Sequence, residues 1–282
     1  GAVSVDGETV GRLDGVRFTL ETGGSTLADR TLKTAAARAV GPEIARRLGR
    51  LAADEDAAFS VTPEGEVLWR GALAGRIAND QPFSPRVRLI GDLGPQPARD
   101  RAQRRLEAWL AAEAGRALRD LKRLKQAVEN GGLKGLPRGI AFRLLEAGGV
   151  IDRREVERDL AALSQVERRT LKTFAIRVGV HSVWLPGVLK PRARAMARAF
   201  VSGEPFRATG EGLALSPASP PSTRALSAFG LRAAGRWTVP VEALEAAAER
   251  RREGKGQLSD AALTELGWTA DQAKAVFGAV PS

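Results

Sequence analysis

The spacing of apolar residues changes character several times along the chain, and each change predicts an element. Between Val3 and Leu20 apolar and polar residues alternate. Val5-Asp6-Gly7-Glu8-Thr9-Val10 places a glycine-containing turn between β-prone runs, and Val16-Arg17-Phe18-Thr19-Leu20 continues the alternation. Successive strand residues face opposite sides, so this pattern predicts a β-hairpin or small meander. From Leu27 to Leu51 the period lengthens: Leu32, Ala36, Val40, Ile44, Leu48 and Leu51 share a helical face, interrupted at Gly41-Pro42. Proline lacks the amide of an interior turn, which predicts two abutting helices or one kinked helix.

The pattern then recurs. Gly7, Gly11, Arg12 and Leu13 reappear 64 residues later as Gly71, Gly75, Arg76 and Ile77, while Ile44, Leu48 and Leu51 reappear at an offset of 70 as Ala114, Leu118 and Leu121. The unequal offsets place an insertion around 82–97. Each copy would be a strand pair followed by a helix, with Val67–Arg70 and Val87–Ile90 as strands of the second, and the two copies could share one sheet. Chance matches in a Gly/Arg-rich chain are the competing explanation for this possible internal duplication over 64–125.

From Ala98 to Val128 one long helix is expected, because Leu106, Trp109, Leu110, Leu118, Leu121, Leu124 and Val128 form a stripe with most arginines and lysines off it. Asn130-Gly131-Gly132 suits its C-terminal cap, Pro137 opens the next helix and Gly148-Gly149 closes it. A further helix starts near Asp152 and runs through Leu160 and Leu163. Ser164-Gln165-Val166-Glu167 has capping-box spacing for another, and Pro191 suits the first turn of a helix over Arg192–Phe200. Residues 202–223 hold Pro205, Pro217, Pro220 and Pro221 without periodicity and read as a linker. Beyond it come a strand at Arg236–Val239 and helices at Val241–Arg252, Asp260–Leu266 and Ala270–Val280. Thr269 and Gln272 form a second capping box and Gly267 lies in the turn, a helix-turn-helix-like spacing that admits DNA binding by the last helix. The fold class expected is therefore α+β and predominantly helical: strand-plus-helix units over 1–97, a helical domain over 98–201, a linker over 202–223 and a small helix-turn-helix-like domain over 224–282.

Charge narrows the function. Lysine and arginine number 44 against 33 aspartates and glutamates, a net +11 across 282 residues, and such a balance suits an anionic partner. An Ala/Arg-rich composition without such a partner is the alternative. No cysteine is present, which excludes disulfides, zinc-thiolate sites and thiol nucleophiles. This fits a reducing, cytoplasmic setting. No apolar run is long enough to span a membrane and no secretory signal opens the chain. The start at Gly1-Ala2 reads as that of an excised fragment.

Catalytic motifs are scarce. Gly254-Lys255-Gly256-Gln257 lacks the hydroxyl and spacing of a phosphate loop, and Asp54-Glu55-Asp56-Ala57 follows a helix end rather than a buried strand. His181, the sole histidine, lacks companions for a metal site and reads as packed or hydrogen-bonded. No cofactor or metal is expected to bind and no catalytic residue is assigned.

The densest mixture of basic, aromatic and Gly/Pro residues is Leu171–Pro191, LKTFAIRVGVHSVWLPGVLKP. Arg168, Arg169 and Lys172 flank it on one side, and Lys190, Arg192, Arg194 and Arg198 on the other. Hinging about Gly179–Pro186 would bring the two groups to one surface, where phosphate contacts give affinity without sequence preference. Trp184 is either core or a base-stacking platform. Three islands, Gly139-Ile140-Ala141-Phe142, Ile176-Arg177-Val178-Gly179 and Leu185-Pro186-Gly187-Val188-Leu189-Lys190-Pro191, resemble the region C-terminal to the motor domains in bacterial SUV3-like (mitochondrial-type) RNA helicase-related proteins, over about 59–201. The resemblance implies an accessory portion of a nucleic-acid motor. Together with the basic residues it gives the expectation of a non-catalytic region that guides single-stranded RNA, or DNA, through Arg168, Arg169, Lys172, Arg177, Trp184, Lys190, Arg192 and Arg194. The alternative for these residues is a charged outer face balanced by Glu155, Glu157, Asp159 and Glu167. ATP and magnesium would belong to motor domains outside this sequence. The other reading is a protein-interaction scaffold that docks on the motor or recruits a nuclease.

Overall fold

A computed structural model describes residues 1–5, 8–20, 27–204, 206, 208 and 212–280. The chain divides into two compact units, Gly1–Arg116 and Ala117–Ser282. The fold is mixed α+β and mainly helical, with several small sheets. No helix among the described residues is long and apolar enough to cross a membrane.

The first unit runs β1 (Ala2–Val5), β2 (Glu8–Asp14), β3 (Arg17–Leu20), α1 (Leu27–Ala53), β4 (Phe59–Val61), β5 (Glu66–Trp69), β6 (Ala72–Ile77), β7 (Val87–Leu89) and α2 (Gln96–Ala117). The expected meander is present as β1-β2-β3, although its predicted turn at Asp6-Gly7 lies outside the described residues. Pro42 sits inside a single continuous α1, where it leaves the carbonyl of Arg38 without its helical amide. Val40, Ile44, Leu48 and Leu51 are buried along one face, which is why the helix persists through the proline.

The two copies do not share one sheet: β4-β5-β6-β7 is separate from β1-β2-β3. Their pairing registers nevertheless coincide. Gly11 faces Val3 and Leu20 just as Gly75 faces Val67 and Leu89, and each pair of strands carries a bulge next to that glycine. A Cβ on Gly11 would lie 2.5 Å from the Thr19 carbonyl oxygen, and one on Gly75 would lie 3.0 Å from that of Arg88, its counterpart. Close backbone approach thus demands glycine at both places. Because Leu13 faces Phe18 where Ile77 faces Val87, the second hairpin loop is five residues longer. The offset between copies passes from 64 to 69 within that loop, which holds Pro82.

The second unit runs α3 (Arg119–Glu129), α4 (Gly135–Glu146), β8 (Val150–Asp152), α5 (Glu157–Ala162), α6 (Gln165–Thr173), β9 (Arg177–Val178), β10 (Ser182–Trp184), α7 (Pro191–Phe200), β11 (Ala214–Leu215), α8 (Thr223–Ala228), β12 (Leu231–Ala234), β13 (Trp237–Pro240), α9 (Val241–Glu253), α10 (Asp260–Leu266) and α11 (Ala270–Ala279). The expected helix over 98–128 is two helices, broken at Leu118, whose ψ of 39° leaves the helical region. Leu118 is buried like its neighbours in the stripe, so the apolar pattern runs through the break unmarked. Asp152 caps a 3-10 turn over Arg153–Val156, not a helix, and α5 follows it. Both expected capping boxes are present at Ser164/Glu167 and Thr269/Gln272, and Gly267 adopts φ 67°.

Residues 202–223 do not stand apart as a linker. Within them β11 pairs with β13, and Phe206 packs with Ala225, Leu226 and Leu231; Pro205 lies outside the described residues. The apolar residues that make this stretch a wall of the unit are too widely spaced to show periodicity.

Candidate nucleic-acid interface

Helix α6 starts where Ser164 accepts from the Glu167 amide and Glu167 accepts from the Ser164 amide at 2.8 Å. These bonds hold the Glu167 carboxyl below the usual carboxylate range and occupy the acid at the helix N-terminus, where its charge complements the dipole. Leu171 points into the core, so Arg168, Arg169 and Lys172 face outward and are exposed. The helix ends in a Schellman arrangement: the Ile176 amide donates to the Leu171 carbonyl and the Ala175 amide to that of Lys172. Ala175 takes the left-handed position at φ 59°, a place that favours glycine.

The chain then enters β9, an edge strand in the order β8-β10-β9, where Arg177 and Val178 are exposed. Arg123 of α3 lies over the Phe174 ring at 5.1 Å and adds a cation beside the end of α6. Most of the nearby acids are engaged elsewhere, while Asp159 of α5 makes no pair with a described residue. Glu157 pairs with Arg153, Asp152 with Arg154 and Arg232, and Glu155 with the Asp152 amide. Among the described residues no carboxylate pairs with Arg168, Arg169, Lys172, Arg177 or Lys190. Arg168 does donate to the Leu160 carbonyl, which steadies its guanidinium.

The two predicted basic groups fare differently. Helix α6 packs on α4, whereas α7 packs on α8 and on the 3-10 turn Pro186–Leu189, so no shared helix face joins them. Lys190 and Arg192 are exposed at the start of α7, but Arg194 is half-buried with its guanidinium directed to the Phe229 carbonyl. Trp184 is 7 % exposed in β10 and cannot stack on a base. Its ring lies where a Cβ on Gly179 would come within 2.6 Å, and its enclosed indole N–H has no partner among the described residues. Trp184 and Arg194 therefore leave the predicted contact set, because packing already occupies them. Nothing in the sequence marks Arg123, because it lies in a different helix, off the apolar stripe, like many arginines that bind nothing.

Two glycines, Gly179 and Gly187, are fixed by packing. A Cβ on Gly179 would strike Glu245 and Trp184, and one on Gly187 would strike the Asp120 carboxylate. Glu245, buried, accepts from the amides of Val180 (2.6 Å) and His181 (3.1 Å). Arg232 donates to Asp152 at 2.6 Å and to the His181 carbonyl, tying β12 to the β9–β10 turn. Burial lowers the Arg232 pKa, opposed by Asp152. In the last helix, Lys274 is the exposed cation and Asp271 stands near it, a sparse charge for DNA recognition. Among the described residues no group of histidine, aspartate or glutamate is arranged to hold a metal ion.

Compared with known proteins, the chain matches no family, no curated protein and no solved structure.

Proposed function

We propose that the second unit carries a surface that grips single-stranded RNA or DNA through phosphate contacts, with no chemistry of its own. In this reading it is the accessory region of a cytoplasmic, bacterial SUV3-like RNA helicase, and the motor domains of that helicase supply ATP hydrolysis. The observation that carries the reading is the exposed series Arg168, Arg169, Lys172 and Arg177, which no described carboxylate neutralises. Fixed cations on a capped helix and an edge strand attract a polyanion and release its counterions. Arg123 extends the cationic area without being required by it, whereas Lys190 and Arg192 lie on α7 and do not share the α6 face.

The reading is tested by titrating labelled single-stranded RNA and matched DNA at several salt concentrations. The log–log slope should be about −0.7 per contacted phosphate. Changing Arg168, Arg169 and Lys172 together to alanine should weaken binding at least tenfold, and unchanged affinity would contradict it. A second reading, a scaffold for the motor or a nuclease, is favoured by exposed Phe142 (50 %), Val166 (70 %) and Val178 (44 %). An apolar contact of that kind would be nearly insensitive to salt.

A further inference from the structure

His181 sits on the turn between β9 and β10, beyond the cations of α6. The residue is only 6 % exposed, and neither ring nitrogen hydrogen-bonds to a described residue. Its ring nitrogens are not among the sealed, unpartnered polar atoms of the described residues, so they open onto the space beside them. The imidazole lines a cavity of about 290 Å³ together with Val180, Arg251, Arg252, Lys255 and Phe277. Among the described residues that line it, none is acidic. The adjoining carboxylate, Glu245, is engaged by the amides of Val180 and His181.

The cations are held in place by the loop that ends α9. Gly254, Lys255 and Gly256 turn the chain sharply, with Lys255 at φ 56° and Gly256 at φ 97°. A lysine in the left-handed region is strained where glycine would not be, and such strain concentrates at ligand sites. Arg251 is fixed twice: its Nε donates to the Gly256 carbonyl at 2.8 Å and its guanidinium lies 4.7 Å from the Phe277 ring centroid. Arg252 and Lys255 make no hydrogen bond or ion pair with a described residue. Burial depresses the His181 pKa to about 4, and the charges of Arg232, Arg252 and Arg251 act in the same direction, as a positive potential in the cavity would.

A second cleft of about 630 Å³ shares Arg251, Gly256 and Phe277 with this cavity and continues over Leu258, Leu263 and Ala273. Positive charge thus gives way to an apolar floor with Gln257 and Lys274 at its side. Ligand sites combine these features: apolar walls and a few polar groups that fix orientation.

We propose that this paired cavity binds a nucleoside phosphate, its phosphomonoester held by His181, Arg251, Arg252 and Lys255 and its base lying in the apolar cleft. The neutral imidazole donates one hydrogen bond to a phosphate oxygen, and the guanidinium and ammonium groups balance the charge. The same chemistry is presented by a free mononucleotide and by the 5′-phosphorylated end of a strand. The site uses none of the α6 cations and stands or falls independently of them.

The test is calorimetric titration of the whole 282-residue chain with AMP, adenosine and inorganic phosphate. AMP should bind with Kd of about 10⁻⁴ M or tighter, with adenosine at least tenfold weaker. Lys255→Gly keeps the left-handed backbone while removing the ammonium group. It should weaken AMP at least tenfold with thermal stability unchanged or raised, and Arg252→Ala should weaken it similarly. The Arg168/Arg169/Lys172 triple alanine variant should bind AMP normally. Tenfold tighter binding of a 5′-phosphorylated oligonucleotide than of AMP assigns the site to strand ends, and equal or weaker binding assigns it to the free nucleotide. Absence of AMP binding at millimolar concentration, undiminished binding by Lys255→Gly and Arg252→Ala, or its loss in the α6 variant would each overturn the proposal.

Discussion

Each unit holds both compensated and uncompensated cations, for Arg88, Arg101 and Arg104 of the first make no ion pair with a described residue and Arg153, Arg154, Arg232 and Arg250 of the second are paired. The useful comparison is between one paired set, in the first unit, and one unpaired set, in the second. In the first, Arg46 and Arg47 pair with Glu43, Arg70 with Asp54, Arg76 with Glu66, Arg105 with Asp56 and Arg116 with Glu113, each within 3 Å. The Arg70 and Trp69 side chains together hold the Asp54 carboxyl far below the usual range. In the second, the arginines and lysine of α6 and β9 have no such partners; beside them Glu157 is engaged by Arg153 and Glu167 by the Ser164 cap, and Asp159 pairs with no described residue. Exposed ion pairs contribute little stability, but they cancel field. The net charge of the chain is therefore a poor guide to where it would bind an anion. The local pairing of each cation is a better one.

Reversing charge strikes this contrast hardest. Arg168→Glu, Arg169→Glu and Lys172→Glu together should lower affinity for single-stranded RNA by roughly a thousandfold at low salt. The same reversal at Arg46, Arg70 and Arg76 should leave affinity within a few-fold, as read by fluorescence anisotropy. Next in size is an effect of pH in the second unit. Burial and Arg232 hold His181 down to about 4 from its usual 6.5, so the unfolded chain takes up a proton in that window and the folded chain does not. Stability is full above 6.5 and falls as pH drops toward 4. His181→Gln should flatten the Tm–pH curve across that window, and an unchanged slope would refute the assignment.

In the first unit the equivalent glycines should respond alike. Gly11→Ala and Gly75→Ala should each cost about 2 kcal/mol by denaturant unfolding, since both would force a Cβ against a neighbouring strand. A large loss at one and none at the other would break the correspondence between the copies. The smallest effect is expected at the end of α6. Ala175→Gly should stabilise by about 1 kcal/mol, because it relieves a left-handed alanine while leaving the cations in place.

What the sequence makes legible is local. Ser164/Glu167 and Thr269/Gln272 announce their helices because the bonds involved span three residues, and Asp260–Leu266 is bounded by signals on both sides. The sheet β8-β10-β9 goes unseen because its strands are two or three residues long and come from separate stretches. The break at Leu118 is hidden because the residue is as apolar and buried as those around it. At the candidate interface, the outward cations of α6 follow from helical spacing around Leu171. The inward turn of Arg194 depends on Phe229, and the burial of Trp184 on packing across the sheet, so neither could be read from neighbouring residues. The His181 cavity is hidden for the same reason, since its cations arrive from α9 and the following loop, about 70 residues away.

The most direct measurement is the salt dependence of single-stranded RNA binding by three proteins side by side: the unaltered chain, the Arg168/Arg169/Lys172 triple alanine variant and the Arg46/Arg70/Arg76 triple alanine variant. If the uncompensated cations of α6 contact phosphate, the first variant should show a log–log slope shallower by about 2 and the second a slope equal to that of the unaltered chain. Equal slopes in all three, or a shallower slope only in the second variant, would contradict the account.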